Sequence, residues 1–219
     1  IEVLTRRRGQ GYDPAVVDVV TEHGERWLED LGDDPCATVL AAEPGPMLTI
    51  GRDELDRALG AVADFTDLKS PWLRGHSPGV ADLVTAAADA AGLSAAEASA
   101  LGCAALVHDV GRVGVPNGIW DRPGPLSSEQ WERVRLHPYL TERVLSRCTL
   151  LAPFAAIAAR HHERADGSGY HRGDQADQLS VSARLLAAAD AYHAMCEPRP
   201  YRPALAPAEA AARLRAELD

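Results

Sequence analysis

The chain has 219 residues, 46% of them hydrophobic and 25% charged, enough to bury a full core in one large domain or in one domain with an appendage. A formal net charge of -10 opposes the phosphate attraction behind most DNA and RNA binding. A long nucleic-acid partner is therefore excluded for this segment, while a small phosphorylated ligand held by local arginines is not. No apolar run is long enough to cross a bilayer and Ile1 opens no secretory-signal pattern, so the expected address is the cytoplasm. Cys36, Cys103, Cys148 and Cys196 lie far apart without a CxxC pair, which argues against a zinc knuckle or a disulfide framework.

Alanine- and leucine-rich stretches with few β-branched or aromatic runs predict an all-α fold. Residues 1–60 read as a short N-terminal appendage, with short helices broken by turns such as LGDDP and EPGP; residues 61–219 read as the main domain. A helix runs from about Pro78 to Ala91 and stops at Gly92. Ser94 and Glu97 form a capping box for the next, which ends near Val107. The stretch GRVGVPNGIWDRPGPL, Gly111 to Leu126, is too rich in glycine and proline for helix, and Ser127 or Ser128 caps a new helix through EQWERVRL. Pro138 interrupts that helix directly after His137. Further helices carry LAPFAAIAARHHE and SVSARLLAAADAYHAM, and Pro207 opens the last, inside which the chain stops without a cap.

Histidines and acids gather at the element ends: His76 at a helix start, His108 before Asp109, His137 before a proline, His161 beside His162, and His193 near Asp190. Neighbouring side chains on a helix diverge by about 100°, so such doublets serve two nearby ions, or one ion from a distorted terminus. Asp109 is the natural bridge, because a carboxylate offers two oxygens where an imidazole cannot share its nitrogen in the same way. Imidazole and carboxylate donors without thiolate suit iron, manganese, cobalt, nickel or zinc, and two such ions clamp a phosphate for in-line attack. Metal-assisted phosphoryl hydrolysis is the inferred reaction class. Outside this set, His23 reads as a helix-end dipole partner or a surface residue, His193, on the face of Asp190, as an exposed polar residue with support of the ligands as the alternative, and His171 as solvated with a substrate contact as the alternative. Glu163 and Asp166 are placed to orient ligand histidines, and Gly167 and Gly169 form a turn over the cleft.

Five blocks in order, DLKSPWLRGHS, LVHDVGRVGVPNGIWDRPGPLS, LHPYLTERVL, HHERADGSGYHRG and ADAYHAM with EPRPYR behind it, resemble the HD-GYP branch of the HD phosphohydrolase superfamily from about Asp67 onward. The resemblance implies an HD-domain helical bundle whose two-metal centre hydrolyses cyclic di-GMP through a bridging hydroxide. The alternatives are another cyclic or linear nucleotide as substrate, or a nucleotide-sensing regulatory domain with little turnover. It implies His76, His108, Asp109, His137, His161, His162 and Asp190 as metal ligands, with Asp109 bridging. The two divalent transition-metal ions are expected to be iron or manganese, with zinc, nickel and cobalt as further options. A third ion in some members uses a glutamate one turn before the first histidine; here that place is Trp72, so two ions are expected.

The family's phosphate-binding HDxGK lysine is Arg112 here, which keeps the charge and adds a bidentate grip on the reacting phosphate. Its GYP is Gly169, Tyr170 and His171, and loss of the proline is expected to free the loop. Arg199 and Arg202 fall where the family directs cations to substrate phosphates, and Tyr170 joins them as a substrate contact. The N-terminal RRRGQGYDPAVVDVV resembles the closing segment of a related preceding domain, so the natural protein is expected to be longer on both sides. Expected partners are a small nucleotide substrate, attached regulatory or output domains outside these residues, and a second copy in a homodimer, with no membrane.

Overall fold

The computed structural model describes residues 1–30, 34–42, 44–45, 49–51 and 54–216. Among the described residues the regular elements are helices, accompanied by isolated bridges and no strand, in agreement with the all-α expectation. No described helix is long and apolar enough to cross a membrane. The chain divides into two compact units, Ile1–Thr49 and Ile50–Asp219.

The first unit holds α1 (Glu2–Arg6), α2 (Pro14–Asp30) and α3 (Pro35–Ala41). Its helices are not all short: α2 runs for 17 residues. The Asp13 carboxylate accepts the Ala15 and Val16 N–H groups at 2.8 and 3.4 Å, and Pro14 supplies the helical φ, so AspPro starts a helix that nothing interrupts before Asp30. Arg8 grips Asp18 through Nε and Nη2 at 2.8 and 2.6 Å. Residues 31–33 of the LGDDP turn, residues 43 and 46 of the EPGP turn and the chain end at 217–219 lie outside the described residues.

The second unit opens with α4 (Leu55–Asp67), ahead of residue 61. Then come α5 (His76–Ala88) and α6 (Ala95–Val107), the latter closed at its start by the expected Ser94–Glu97 capping box. The glycine- and proline-rich stretch is not free of helix. It holds a 3-10 turn, Val110–Gly114, and the single turn α7 (Asn117–Trp120), which follows Pro116. Ser127 caps α8 (Ser128–Arg135), and α9 (His137–Leu145) carries Pro138 in its first turn, where a missing N–H costs nothing. α10 (Ala152–Ala158) ends three residues before His161, shorter than the sequence pattern implies, and α11 (Val181–Cys196) and α12 (Pro207–Ala216) follow.

α6 is the axis of this unit. One side of it, Cys103, Ala104 and Val107, packs against Leu55 and Leu59 of α4, Leu145 of α9 and Phe154, Ala155 and Ala158 of α10. The other side, Leu101 and Ala105, packs against Val80, Ala81 and Val84 of α5 and Leu186 and Ala189 of α11. A helix buried on both faces needs no polar stripe, and small alanines let its neighbours come close. The C-terminal end of this buried helix is where His108 and Asp109 emerge.

Candidate metal centre

Three helices end at one point, and the device that ends them is repeated. The last turn of a helix leaves carbonyls without partners, and in each case a histidine ring takes one. His108 Nδ1 donates to Ala105 O at 2.7 Å, His137 Nδ1 to Val134 O at 2.6 Å and His161 Nδ1 to Ala158 O at 2.6 Å. A carbonyl only accepts, so each ring carries a proton on Nδ1 and turns Nε2 inward. All three rings are buried. The orienting task expected of Glu163 and Asp166 is thus performed by the main chain.

Asp109 divides its carboxylate between two groups of histidines. Its Oδ2 lies 3.1 Å from His108 Nε2 and 3.6 Å from His76 Nε2, while its Oδ1 lies 3.4 Å from both His137 and His161 Nε2. Asp190, in the middle of α11, lies 3.0 Å from His76 Nε2 through Oδ1 and 3.8 Å from His162 Nδ1 through Oδ2. His162, half-buried, completes a cluster with His137 and His161, and His76, His108 and Asp190 form another, each with donor atoms within 4.8 Å of one another. All seven predicted ligand candidates are therefore brought together.

The donors have the character of a cation site. Both Asp109 oxygens and His108 Nε2 are buried without a hydrogen-bond partner. His137 Nε2 and His161 Nε2 face each other at 3.0 Å although both of their Nδ1 atoms donate elsewhere, so two lone pairs meet. Two imidazole nitrogens about 2.1 Å from one ion and at right angles also lie about 3 Å apart, so a divalent ion fits the pair. The protonation pattern divides the cluster. Burial opposes a proton on His108, but Asp109 outweighs it and raises the ring to about 10. His76 rises against the same burial through its bonds to Asp190 and Glu197. Burial lowers His137 to about 4 and holds His162 well below its ordinary value, with His161 repelling a charge on either ring. Burial also works against ionised Asp109 and Asp190, yet Arg112 and His108 keep the first, and His108 and His76 the second, well below the usual carboxylate range.

Two close approaches set the alignment. Gly111, two residues after Asp109, lies so near α9 that a Cβ there would sit 2.0 Å from His137 O. Thr141 spans the same gap, accepting the Gly111 N–H at 3.0 Å and donating to His108 O at 2.9 Å. Asp67, buried at the end of α4, accepts Ser77 N and Oγ at 2.9 and 2.8 Å and so anchors the start of α5 beside His76. Thr141 reaches Gly111 and His108 across 30 and 33 positions of the chain.

A cavity of about 510 Å³ opens on the cluster, reaching His137, His162 and Asp190. Trp72, Trp120, Trp131, Tyr170, Arg112 and Arg199 line it among others. Arg112 Nε lies 2.9 Å from Asp109 Oδ2, and its guanidinium stacks 5.1 Å from the Trp120 ring centre. Arg199 is bound to Glu197 at 2.7 Å and to Trp72 O. Arg202 also lines the cavity, and its Nη1 and Nη2 donate to the carbonyls of Ala194, Met195, Glu197 and Pro203 at the end of α11, where carbonyls carry partial negative charge. The glycine loop is also not free. Glu163 accepts Arg172 N and Asp174 N at 2.7 and 3.0 Å, and Arg172 grips Glu142 of α9 at 2.6 Å. His171, expected in solvent, is half-buried against Tyr139. His193, expected on the surface, lies half-buried beside His76 and Glu197.

A family model described as HD domain matches residues 60–219. Over 209 residues the chain is 34% identical to the 3'3'-cGAMP-specific phosphodiesterase 3 of Vibrio cholerae, covering 94% of this chain and 45% of that protein. It is 36% identical over 186 residues to a cyclic di-GMP phosphodiesterase of Pseudomonas aeruginosa, covering 84% and 42%. The chain thus spans less than half the length of either phosphodiesterase. Among solved structures, a cyclic GMP-AMP specific phosphodiesterase of V. cholerae covers 98% of this chain and 50% of its own, with a TM-score of 0.54 and 30% identity. An HD-GYP-type protein of Bdellovibrio bacteriovorus covers 77% and 59%, with a TM-score of 0.57; at 18% identity that likeness is one of fold.

Proposed function

The chain belongs to the HD domain family, and from that premise we propose that it is a metal-dependent phosphodiesterase that opens cyclic dinucleotides, with cyclic di-GMP as substrate. The observation that carries the reading is the division of Asp109 between two histidine groups, Oδ2 toward His76 and His108 and Oδ1 toward His137 and His161. On this reading His76, His108 and Asp190 would hold one divalent ion and His137, His161 and His162 the other, with Asp109 available to both. Such a pair, iron or manganese by its nitrogen and oxygen donors, supplies an activated water nucleophile and neutralises phosphate charge.

The chain's own residues do the rest. The three main-chain carbonyls hold the ligand rings in one tautomer, so no reorganisation is needed when charge develops. Arg112, already at the edge of the cluster, meets the reacting phosphate, and Arg199 at the cavity wall meets the other. Arg202 secures the turn that carries Arg199. Tyr170, 4.7 Å from the His162 ring, and the tryptophans of the cavity offer stacking faces to a base.

One observation favours a second substrate: the relative that aligns with 94% of the chain is named for 3'3'-cGAMP. The deciding experiment measures metal content by mass spectrometry together with hydrolysis of cyclic di-GMP and 3'3'-cGAMP, beside Asp109→Ala. The expected result is near two ions per chain, turnover of cyclic di-GMP and loss of both in the variant. Faster turnover of 3'3'-cGAMP moves the substrate to the second reading. No metal after loading with iron, manganese or zinc, or metal without turnover of either dinucleotide, overturns the proposal.

A further inference from the structure

His76 is held differently from His108, His137 and His161. It is the first residue of α5, preceded by Gly75 at φ +79°, and its Nδ1 takes no main-chain carbonyl. Its Nδ1 meets Glu197 Oε2 at 2.8 Å instead. Glu197 is the residue that follows α11, 121 positions away along the chain. Its carboxylate oxygens face the rings of His76 and His193 and the Arg199 guanidinium, so it accepts the His76 Nδ1 contact.

The carboxylate is itself fixed on three sides. His193, one turn earlier on α11, lies 3.4 Å from Oε1 through Nδ1. The His193 ring sits in a notch at Gly79 of α5, where a Cβ would be 2.0 Å from Nε2. Arg199 Nη2 lies 2.7 Å from the same Oε2 that meets His76.

We infer that Glu197 is a positioning residue of the metal centre: it keeps His76 protonated on Nδ1 with Nε2 aimed at Asp109 and Asp190, and it ties that ligand to Arg199 on the cavity wall. The inference rests on the metal-centre reading and adds to it. A carboxylate behind an imidazole makes the far nitrogen a stronger donor than a carbonyl does. Sharing one oxygen between His76 and Arg199 means that seating an ion and seating a phosphate draw on the same anchor. His76, His193 and Glu197 also lie within 4.8 Å as possible ligands of an ion of their own. That arrangement is disfavoured, because Arg199 already balances the carboxylate and His76 would have to give up its Nδ1 proton while Nε2 serves Asp190 and Asp109.

The test compares wild type, Glu197→Gln and Glu197→Ala after removal of metal and titration with manganese against a chelating dye. Melting of the metal-free proteins is followed in parallel, and the His76 Nδ1–H resonance is recorded in the zinc-loaded forms. Glu197→Ala is expected to weaken the less tightly held ion by about 10- to 100-fold and to lose the protected Nδ1–H signal. Glu197→Gln keeps an acceptor without the charge and is expected to fall between. A purely structural role would lower melting and leave manganese affinity and the Nδ1–H signal unchanged, and that result overturns the inference. So does a further ion in wild type that Glu197→Ala loses while the others bind as before, since Glu197 is then a ligand. If Glu197→Ala does not fold, Glu197→Gln decides, and affinity within about twofold of wild type overturns the role of the charge. Wild type that binds no metal ends the reading of the centre itself; wild type and Glu197→Ala that bind metal alike end only the role of Glu197.

Discussion

Replacing Gly111 by alanine tests how the two halves of the centre are held in register. The added Cβ would lie 2.0 Å from His137 O, 2.5 Å from Thr141 N and 2.8 Å from Thr141 Oγ1, the first two being main-chain atoms that no rotamer change can move. To reach ordinary contact, the 3-10 turn at Val110–Gly114 must part from α9 by about 1.4 Å, a separation that overpacked cores accept only at about 1–3 kcal/mol. The same movement breaks Gly111 N to Thr141 Oγ1 and Thr141 Oγ1 to His108 O, adding about 1 kcal/mol each. The total of about 3–5 kcal/mol lowers the melting temperature by roughly 6–20 °C for a unit of this size. Asp109 travels with the turn, so Oδ1 moves out of reach of His137 and His161, now 3.4 Å away. Calorimetry and metal content should both fall, and Gly60→Ala, in mid-α4 with nothing within 4 Å of its Cβ, should instead gain about 0.5–1 kcal/mol. A Gly111→Ala protein that melts within about 2 °C of wild type and retains its metal would refute this account of the register.

Metal loading should release protons. His108 holds its proton up to about pH 10 in the metal-free protein, so the stabilisation from its pairing with Asp109 is complete below its ordinary value of 6.5 and disappears as pH rises through about 10. An ion must displace that proton, so apparent affinity rises with pH, and a binding heat at pH 7 that is the same in buffers of different ionisation enthalpy would contradict this. Glu163→Ala removes the acceptor of two loop N–H groups, and a bond to a charged group is worth about 1.5–3 kcal/mol, so exchange at Arg172 and Asp174 should quicken roughly 10- to 100-fold. Unchanged exchange would mean that other contacts hold the loop. Among the cysteines, burial raises the Cys103 thiol to about 11 while Cys36 and Cys148 are exposed. Alkylation at pH 8 should mark those two in the native protein and Cys103 only after unfolding, as peptide mass mapping would reveal.

Residue order alone carried the helical class, the capping box at Ser94, a serine cap at Ser127 or Ser128 and the inward-facing residues from His76 to Asp190, because each is written in local spacing or in a block of neighbours. It also carried the phosphohydrolase family, through five blocks in order. What it could not carry depends on distances between residues remote in sequence. Glu163 follows two ligand candidates yet serves the loop, whereas Glu197, to which the sequence assigned no role, reaches His76 across 121 positions. Arg202, in a phosphate-binding position of the motif, lines the cavity and also holds the carbonyls at the end of α11. Sequence spacing determines which side chains share a helix end; only packing around α6 decides which helix ends meet, which carbonyls are left without partners, and so which nitrogen each histidine turns inward.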